Sequence, residues 1–338
     1  MRGAVLYAPG DVRFEELADP RIVEPTDAII RISATCVCGS DLWSYRGINE
    51  LTEPRPFGHE YCGVVEEIGR DVTSIKPGQF VIGSFFASDN TCLNCRAGYQ
   101  TSCLHRDAIV GAQAEMLRVP LADGTLVATP EMPDDGLVPS LLTLSDVMGT
   151  GWFAAVAADV QPGMTVAVVG DGAVGLLGVL SAAQLGARRI IAMSRHEQRQ
   201  KLASEFGATD IVVERADEGV ERIKDMTDGV GADAVLECVG TGEAMQQALQ
   251  STRPGGMVGF VGVPHGVSVE GQQLFRTQVG LRGGPAPVRR FLPDLIDLVC
   301  SGKINPGKVF DVTLPLDQVD EGYRAMDERR AIKALLLP

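Results

Sequence analysis

The sequence predicts two domains of different class, a mainly β domain of short strands and an α/β domain on a doubly wound parallel sheet of the Rossmann type. Three observations carry this. The chain has 338 residues, more than a single hydrophobic core usually organises. Its early part alternates apolar and polar positions in runs broken by Pro9-Gly10, Pro20, Pro25 and Lys76-Pro77-Gly78, the pattern of strands and turns. Further on, the buried-strand run Val166-Ala167-Val168-Val169 leads into Gly170-Asp171-Gly172-Ala173-Val174-Gly175 and then a helix-length stretch, Leu176 to Leu185. A strand, a Gly-x-Gly-x-x-Gly turn and a helix in that order form the dinucleotide-binding fingerprint.

Composition narrows the function. A net charge of −14 argues against nucleic acid or an anionic membrane surface as partner. No apolar run reaches the length of a membrane span. The N-terminus, Met1-Arg2-Gly3-Ala4-Val5-Leu6-Tyr7, leads directly into a strand pattern with no cleavable signal, so a cytoplasmic location is expected. Eight cysteines in such a chain read as metal ligands and thiols rather than a disulfide framework. Cys36, Cys62, Cys238 and Cys300 are expected to be buried thiols.

The first domain carries its chemistry in three segments. The strand Ile29-Ile30-Arg31-Ile32-Ser33-Ala34-Thr35 runs into Cys36-Val37-Cys38-Gly39-Ser40-Asp41. Next comes Gly58-His59-Glu60-Tyr61-Cys62-Gly63-Val64-Val65-Glu66-Glu67-Ile68-Gly69, which sets an imidazole beside a carboxylate between glycines. Thiolate, imidazole and carboxylate are the ligands zinc accepts, and a catalytic zinc keeps three of them plus an open position. The third segment is Asp89-Asn90-Thr91-Cys92-Leu93-Asn94-Cys95, followed by Cys103.

With these segments the chain resembles the zinc-dependent medium-chain alcohol dehydrogenases, in the branch of the bacterial secondary-alcohol enzymes, and the likeness extends over essentially the whole sequence. The resemblance implies a GroES-like, barrel-shaped catalytic domain over residues 1–147, an NADP-binding Rossmann domain over 148–288, and a return to the catalytic domain over 289–338. It places the catalytic zinc on Cys38, His59 and Asp146, with Glu60 as a carboxylate able to exchange at the metal. Alcohol dehydrogenase is itself the usual example of a Cys2His catalytic zinc; here an acid just ahead of Thr150-Gly151 takes the place of one cysteine. Ser40 falls where the family keeps a hydroxyl that takes the substrate proton. Both Ser40 and Asp41 are also common helix caps, and Asp41 is a candidate brace for His59. A lobe over about 86–106 would hold a second, structural zinc on Asp89, Cys92, Cys95 and Cys103. The aspartate departs from the usual four cysteines, and Cys92 and Cys95 alone could instead form a redox pair. Trp43 stands where many relatives carry a proton-shuttling histidine, so that path must differ. Trp43, Phe85 and Trp152 are expected as apolar walls of a substrate pocket.

The glycine turn and the strand after it define the cofactor. Gly170 permits the tight turn, Gly172 lets the backbone approach a pyrophosphate, and Gly175 allows close helix packing, with Ala173 and Val174 in the first helical turn. An NAD site wants an acid about twenty residues on. After Arg189-Ile190-Ile191-Ala192-Met193 this chain has Ser194, Arg195 and Arg199 instead, donors suited to a 2′-phosphate, so NADP(H) is expected over NAD(H). Gly240 and Gly262 end strands where the nicotinamide would lie.

The expected function is therefore an oxidoreductase moving a hydride between NADP(H) and a small, secondary alcohol or its carbonyl counterpart. The alternatives are a polyol or sugar dehydrogenase of the same fold, a zinc-free reductase of the superfamily, and a non-catalytic NADPH-binding sensor. A homotetramer or homodimer is expected from the resemblance alone.

Overall fold

The strand Ala28–Cys36 is the spine of the first unit. Its β-branched Ile29, Ile30 and Ile32 are buried, as suits a strand packed on both faces. It pairs antiparallel with Tyr61–Ile68, with Met116–Val119 and with the C-terminal strand Ala334–Leu337. The computed structural model describes residues 1–338, and these strands lie in a unit formed by Met1–Gly149 together with Pro287–Pro338. Within it a seven-stranded sheet includes Leu126–Ala128, Phe80–Gly83 and Val312–Pro315 as well. The pairing of Leu335 with Cys36 and Leu336 with Thr35 sets the chain end against the segment that leads to Cys38. Two apolar clusters fill the unit, one around Ile30, Tyr61 and Val81, the other around Leu6, Leu42 and Tyr323.

The second unit, Thr150–Ala286, is a six-stranded parallel sheet. Its strands run across the sheet as Asp210–Val212, Arg189–Met193, Thr165–Val169, Ala232–Glu237, Thr252–Phe260 and Gly280–Gly283. Strand order reverses beside Thr165–Val169, and in such sheets ligands bind beyond the carboxyl ends at that point. The central strands are almost wholly apolar and buried (Val166 to Val169, Ile190 to Met193, Ala234 to Leu236), as required when helices cover both faces. No single helix in the chain is long and apolar enough to cross a membrane.

All eight cysteines are free thiols. Cys36 and Cys62 are buried, but Cys300 is exposed at the end of the helix Val288–Cys300 and Cys238 is half-buried. The expectation of four buried thiols is corrected for these two. Cys300 falls on the polar face of that helix, where a thiol gains nothing from neighbouring Leu292, Leu295, Ile296 and Val299.

Candidate functional site

Four residues far apart in sequence converge in the first unit. The ligand atoms of Cys38, His59, Glu60 and Asp146 all lie within 4.8 Å of one another. Cys38 follows the end of Ala28–Cys36, His59 and Glu60 precede Tyr61–Ile68, and Asp146 precedes the helix Val147–Ala157. Antiparallel pairing of the first two strands, with Thr35 opposite Tyr61, brings the thiol and the imidazole together. Asp146 Oδ2 lies 3.2 Å from His59 Nε2 and 3.5 Å from Cys38 Sγ.

The shell around this cluster fixes its chemistry. Asp41 Oδ2 accepts the Cys38 amide at 3.0 Å, and its Oδ1 lies 3.3 Å from His59 Nδ1. That contact keeps a proton on Nδ1 and turns Nε2 toward the cluster, the usual way a carboxylate orients a metal-binding imidazole. Tyr323 donates to Gln113 at 3.0 Å and to Asp41 at 3.5 Å. Ser40 occupies the N-cap position of Asp41–Tyr45 without any side-chain cap bond; its hydroxyl donates to Cys38 Sγ at 3.2 Å. The capping alternative is thereby replaced by a contact inside the cluster.

Lys333 was not singled out by the sequence. Its ammonium is buried, donating to Glu60 Oε1 at 2.6 Å and to the Val37 carbonyl at 3.1 Å. A lone lysine ahead of the apolar strand Ala334–Leu337 was the only signal, and its partner lies 273 residues away.

These donors suit a zinc ion. Burial first, and then the charges of Glu60 and Asp146, push the Cys38 thiol up to about 11. Burial alone would lower His59, but Asp41, Cys38 and Asp146 outweigh it and raise it well above the imidazole range. Glu60 Oε2 is buried without a hydrogen-bond partner. Two carboxylates and a thiol held against one imidazole form a donor set that zinc takes, and a cation in their midst would favour the ionised thiol.

A second cluster forms at Asp89, Cys92, Cys95 and Cys103, whose ligand atoms also lie within 4.8 Å of one another. The helix Leu93–Arg96 begins after Cys92 and returns Cys95 to the same point. Amide donors from Leu104 and Cys95 lower the Cys92 thiol to about 7, toward the thiolate that zinc requires. Burial would raise Asp89, yet the Cys92 amide, His105 and the Thr91 amide hold its carboxyl well below the usual range. His105 Nδ1 stands 2.6 Å from Asp89 Oδ2, a brace the sequence reading did not include.

Among the expected pocket residues, Phe85 presents its ring edge-on at 6.1 Å from the His59 ring. Trp43 is half-buried in the short helix after Ser40, and Trp152 is half-buried within the second unit.

In the second unit, Gly172 caps the helix Ala173–Gln184. Gly170 has φ +116°, a conformation side chains avoid, and a Cβ on Gly175 would overlap the Gly170 carbonyl. The first-turn amides of Ala173, Val174 and Gly175 are thus offered to an anion at the helix N-terminus. Thr150 is buried in the helix Val147–Ala157, and Gly240 and Gly262 follow the ends of Ala232–Glu237 and Thr252–Phe260. Glu237, absent from the sequence reading, accepts the amides of Val239 and Gly240 at 2.8 Å each and ties these turns together.

Two of the three donors expected for a 2′-phosphate are engaged with a carboxylate. Ser194 Oγ donates to Asp171 Oδ2 at 2.8 Å, and Arg199 reaches Asp171 Oδ1 at 3.3 Å. Arg195 Nε instead donates to the Val213 carbonyl at 3.3 Å. A third guanidinium, Arg215, stands 3.8 Å from Asp171.

A phosphate cradle at a switch point and a cysteine-histidine-acid cluster define a class of metal-dependent dinucleotide oxidoreductases. Comparisons agree. The model described as alcohol dehydrogenase GroES-like domain matches residues 24–131, and that described as zinc-binding dehydrogenase matches residues 173–299. A protein named "Probable zinc-binding alcohol dehydrogenase" in Mycobacterium tuberculosis is 37% identical over 96% of this chain and 84% of its own length. "Zinc-type alcohol dehydrogenase B" of Aspergillus flavus is 32% identical, covering 99% of this chain and 81% of its own. The solved alcohol dehydrogenase TADH of Thermus sp. ATN1 superposes with a TM-score of 0.92 at 32% identity, covering 100% of this chain and 99% of its own. The chain belongs to the zinc-dependent medium-chain alcohol dehydrogenase family.

Proposed function

We propose that this protein interconverts a small secondary alcohol and its carbonyl counterpart, with NADP(H) as hydride partner. The convergence of Cys38, His59 and Asp146, with Ser40 against the thiol, is the observation that carries this reading. Zinc held there would supply Lewis-acid charge, which favours the ionised form of an alcohol and polarises a carbonyl. The chain's own residues do the rest. Asp41 fixes the His59 tautomer, Lys333 holds one oxygen of Glu60, and Ser40 places a hydroxyl able to hold or pass a proton beside Cys38. Phe85 gives the cluster an apolar flank, which favours an alkyl group over a second hydroxyl. The glycine turn and first helical turn accept the cofactor diphosphate. Arg199 and Arg215 against the single carboxylate of Asp171, with Arg195 held on the Val213 carbonyl, leave positive charge for a 2′-phosphate, which supports NADP over NAD.

The test is a steady-state screen of primary, secondary and polyhydroxy alcohols and their carbonyls with NADP(H) and NAD(H), with zinc measured on the same sample. NADP-linked turnover of simple secondary alcohols that is lost in Asp146→Ala is expected. Turnover confined to polyols or sugars would overturn the substrate reading, and tenfold higher efficiency with NAD would overturn the cofactor reading.

A further inference from the structure

The second residue of the glycine turn, Asp171, is not a passive spacer. Its carboxylate lies 17% exposed at the end of the first strand of the sheet and gathers Ser194 at 2.8 Å, Arg199 at 3.3 Å and Arg215 at 3.8 Å. Arg199 also donates to the Asp171 carbonyl at 3.2 Å. Arg215 donates to the Met193 carbonyl at 3.3 Å, so it is anchored at the end of the strand that Ser194 follows. Arg195 adds a further positive charge close enough to act on Arg215, and Glu243 acts on it from the helix Gly242–Ser251. Arg199 and Arg215 are only 14% and 23% exposed. Two arginines therefore share the Asp171 carboxylate, while Arg195 is bonded to the Val213 carbonyl.

We propose that Asp171 is the residue that sets cofactor discrimination, an internal anion holding the donors that a 2′-phosphate would use, and that Arg215 is the third guanidinium of that site. This rests on the NADP reading of the same site. A 2′-phosphate and Asp171 compete for the same donors. A phosphate monoester brings close to two negative charges and three acceptor oxygens to donors that already serve a carboxylate. It gains Ser194, Arg199 and Arg215 only by drawing them from Asp171, and it is repelled by Asp171 while doing so. A ribose 2′-hydroxyl meets the opposite situation, since it can donate to Asp171. The carboxylate thus weakens NADP and leaves room for NAD, holding the selectivity below what the arginines alone would give.

Asn at this position keeps the size and one acceptor but removes the charge. Dissociation constants for NADPH and NADH, from nicotinamide fluorescence, are compared among the zinc-loaded wild type, Asp171→Asn and Asp171→Ser. Adenosine 2′,5′-bisphosphate and adenosine 5′-monophosphate are titrated calorimetrically as probes free of the nicotinamide. The ratio of NADH to NADPH dissociation constants is expected to rise about tenfold in both variants. Arg215→Met should weaken the bisphosphate about tenfold while moving the monophosphate by less than about twofold. A ratio that stays within twofold of wild type in both Asp171 variants, or falls, overturns the assignment of Asp171. Equal weakening of both adenosine probes by Arg215→Met overturns the assignment of Arg215. The wild-type ratio decides the NADP reading separately. A wild type that favours NADH, with variants that shift toward NADPH, would refute that preference and still support Asp171 as its determinant.

Discussion

Replacing Lys333 with methionine should unfold the first unit well before the second. The Lys333 and Glu60 side chains are 1% and 0% exposed, and their charged atoms are 2.6 Å apart. At an effective dielectric of about 20 that separation corresponds to a gross attraction of about 6 kcal/mol. Desolvation offsets much of it, but removing one partner strands the other, and breaking a buried pair costs about 3–5 kcal/mol. The Val37 carbonyl, 3.1 Å from the ammonium, also loses a donor, about 1 kcal/mol more. With a urea slope of about 2–3 kcal/mol per molar, the midpoint should fall by about 1.5–3 M. The assay is urea unfolding of the zinc-loaded protein in a Trp152→Phe background, where Trp43 reports on the first unit alone. Adding Glu60→Leu to Lys333→Met should recover most of the loss, because the stranded charge is gone. A single-variant loss under about 1 kcal/mol, or no recovery in the double variant, would refute the reasoning.

The remaining predictions concern the metals, acid stability and the pocket. Purified protein should carry two zinc ions per chain; Cys95→Ser should lower this to one and loosen the Asp89–Cys103 segment to proteolysis, while an unchanged content would remove that site. Burial raises the carboxyl of Asp27, but Arg118 at 2.6 Å and the amides of Glu24 and Val23 outweigh it and hold it below the usual range. Its ionised form therefore stabilises the fold above the unfolded value of about 3.9, and this is lost as pH falls through the lower folded value. The stability gap between wild type and Asp27→Asn should accordingly narrow from pH 6 to pH 3, and a gap independent of pH would contradict the sign. Phe85→Ala should widen the range of bulky alcohols accepted without loss of zinc, and unchanged selectivity would count against a pocket role for that ring.

Much of this molecule is legible in its sequence because the decisive signals are local. A glycine turn after an apolar strand works within six residues, where φ and close approach are properties of the backbone itself. The spacing of Cys92 and Cys95 sets one thiol at the N-cap of a short helix and the other within its first turn, and the pairing of His59 with Glu60 is read directly. Such features need no knowledge of distant partners.

Tertiary structure alone decided the partners. Lys333 finds Glu60 only because the C-terminal strand pairs with Ala28–Cys36, and nothing near residue 333 points to that partner. His105 against Asp89 and Tyr323 against Asp41 depend in the same way on chain segments that fold back from elsewhere. Ser194 and Arg199 were recognised by type, but whether their donors face solvent or a carboxylate depended on Asp171 and Arg215, more than twenty residues away in either case for Ser194. Residue types and backbone geometry are written locally in the chain. Charge pairing is set by which segments the sheets bring together, and so it emerges only in the folded molecule.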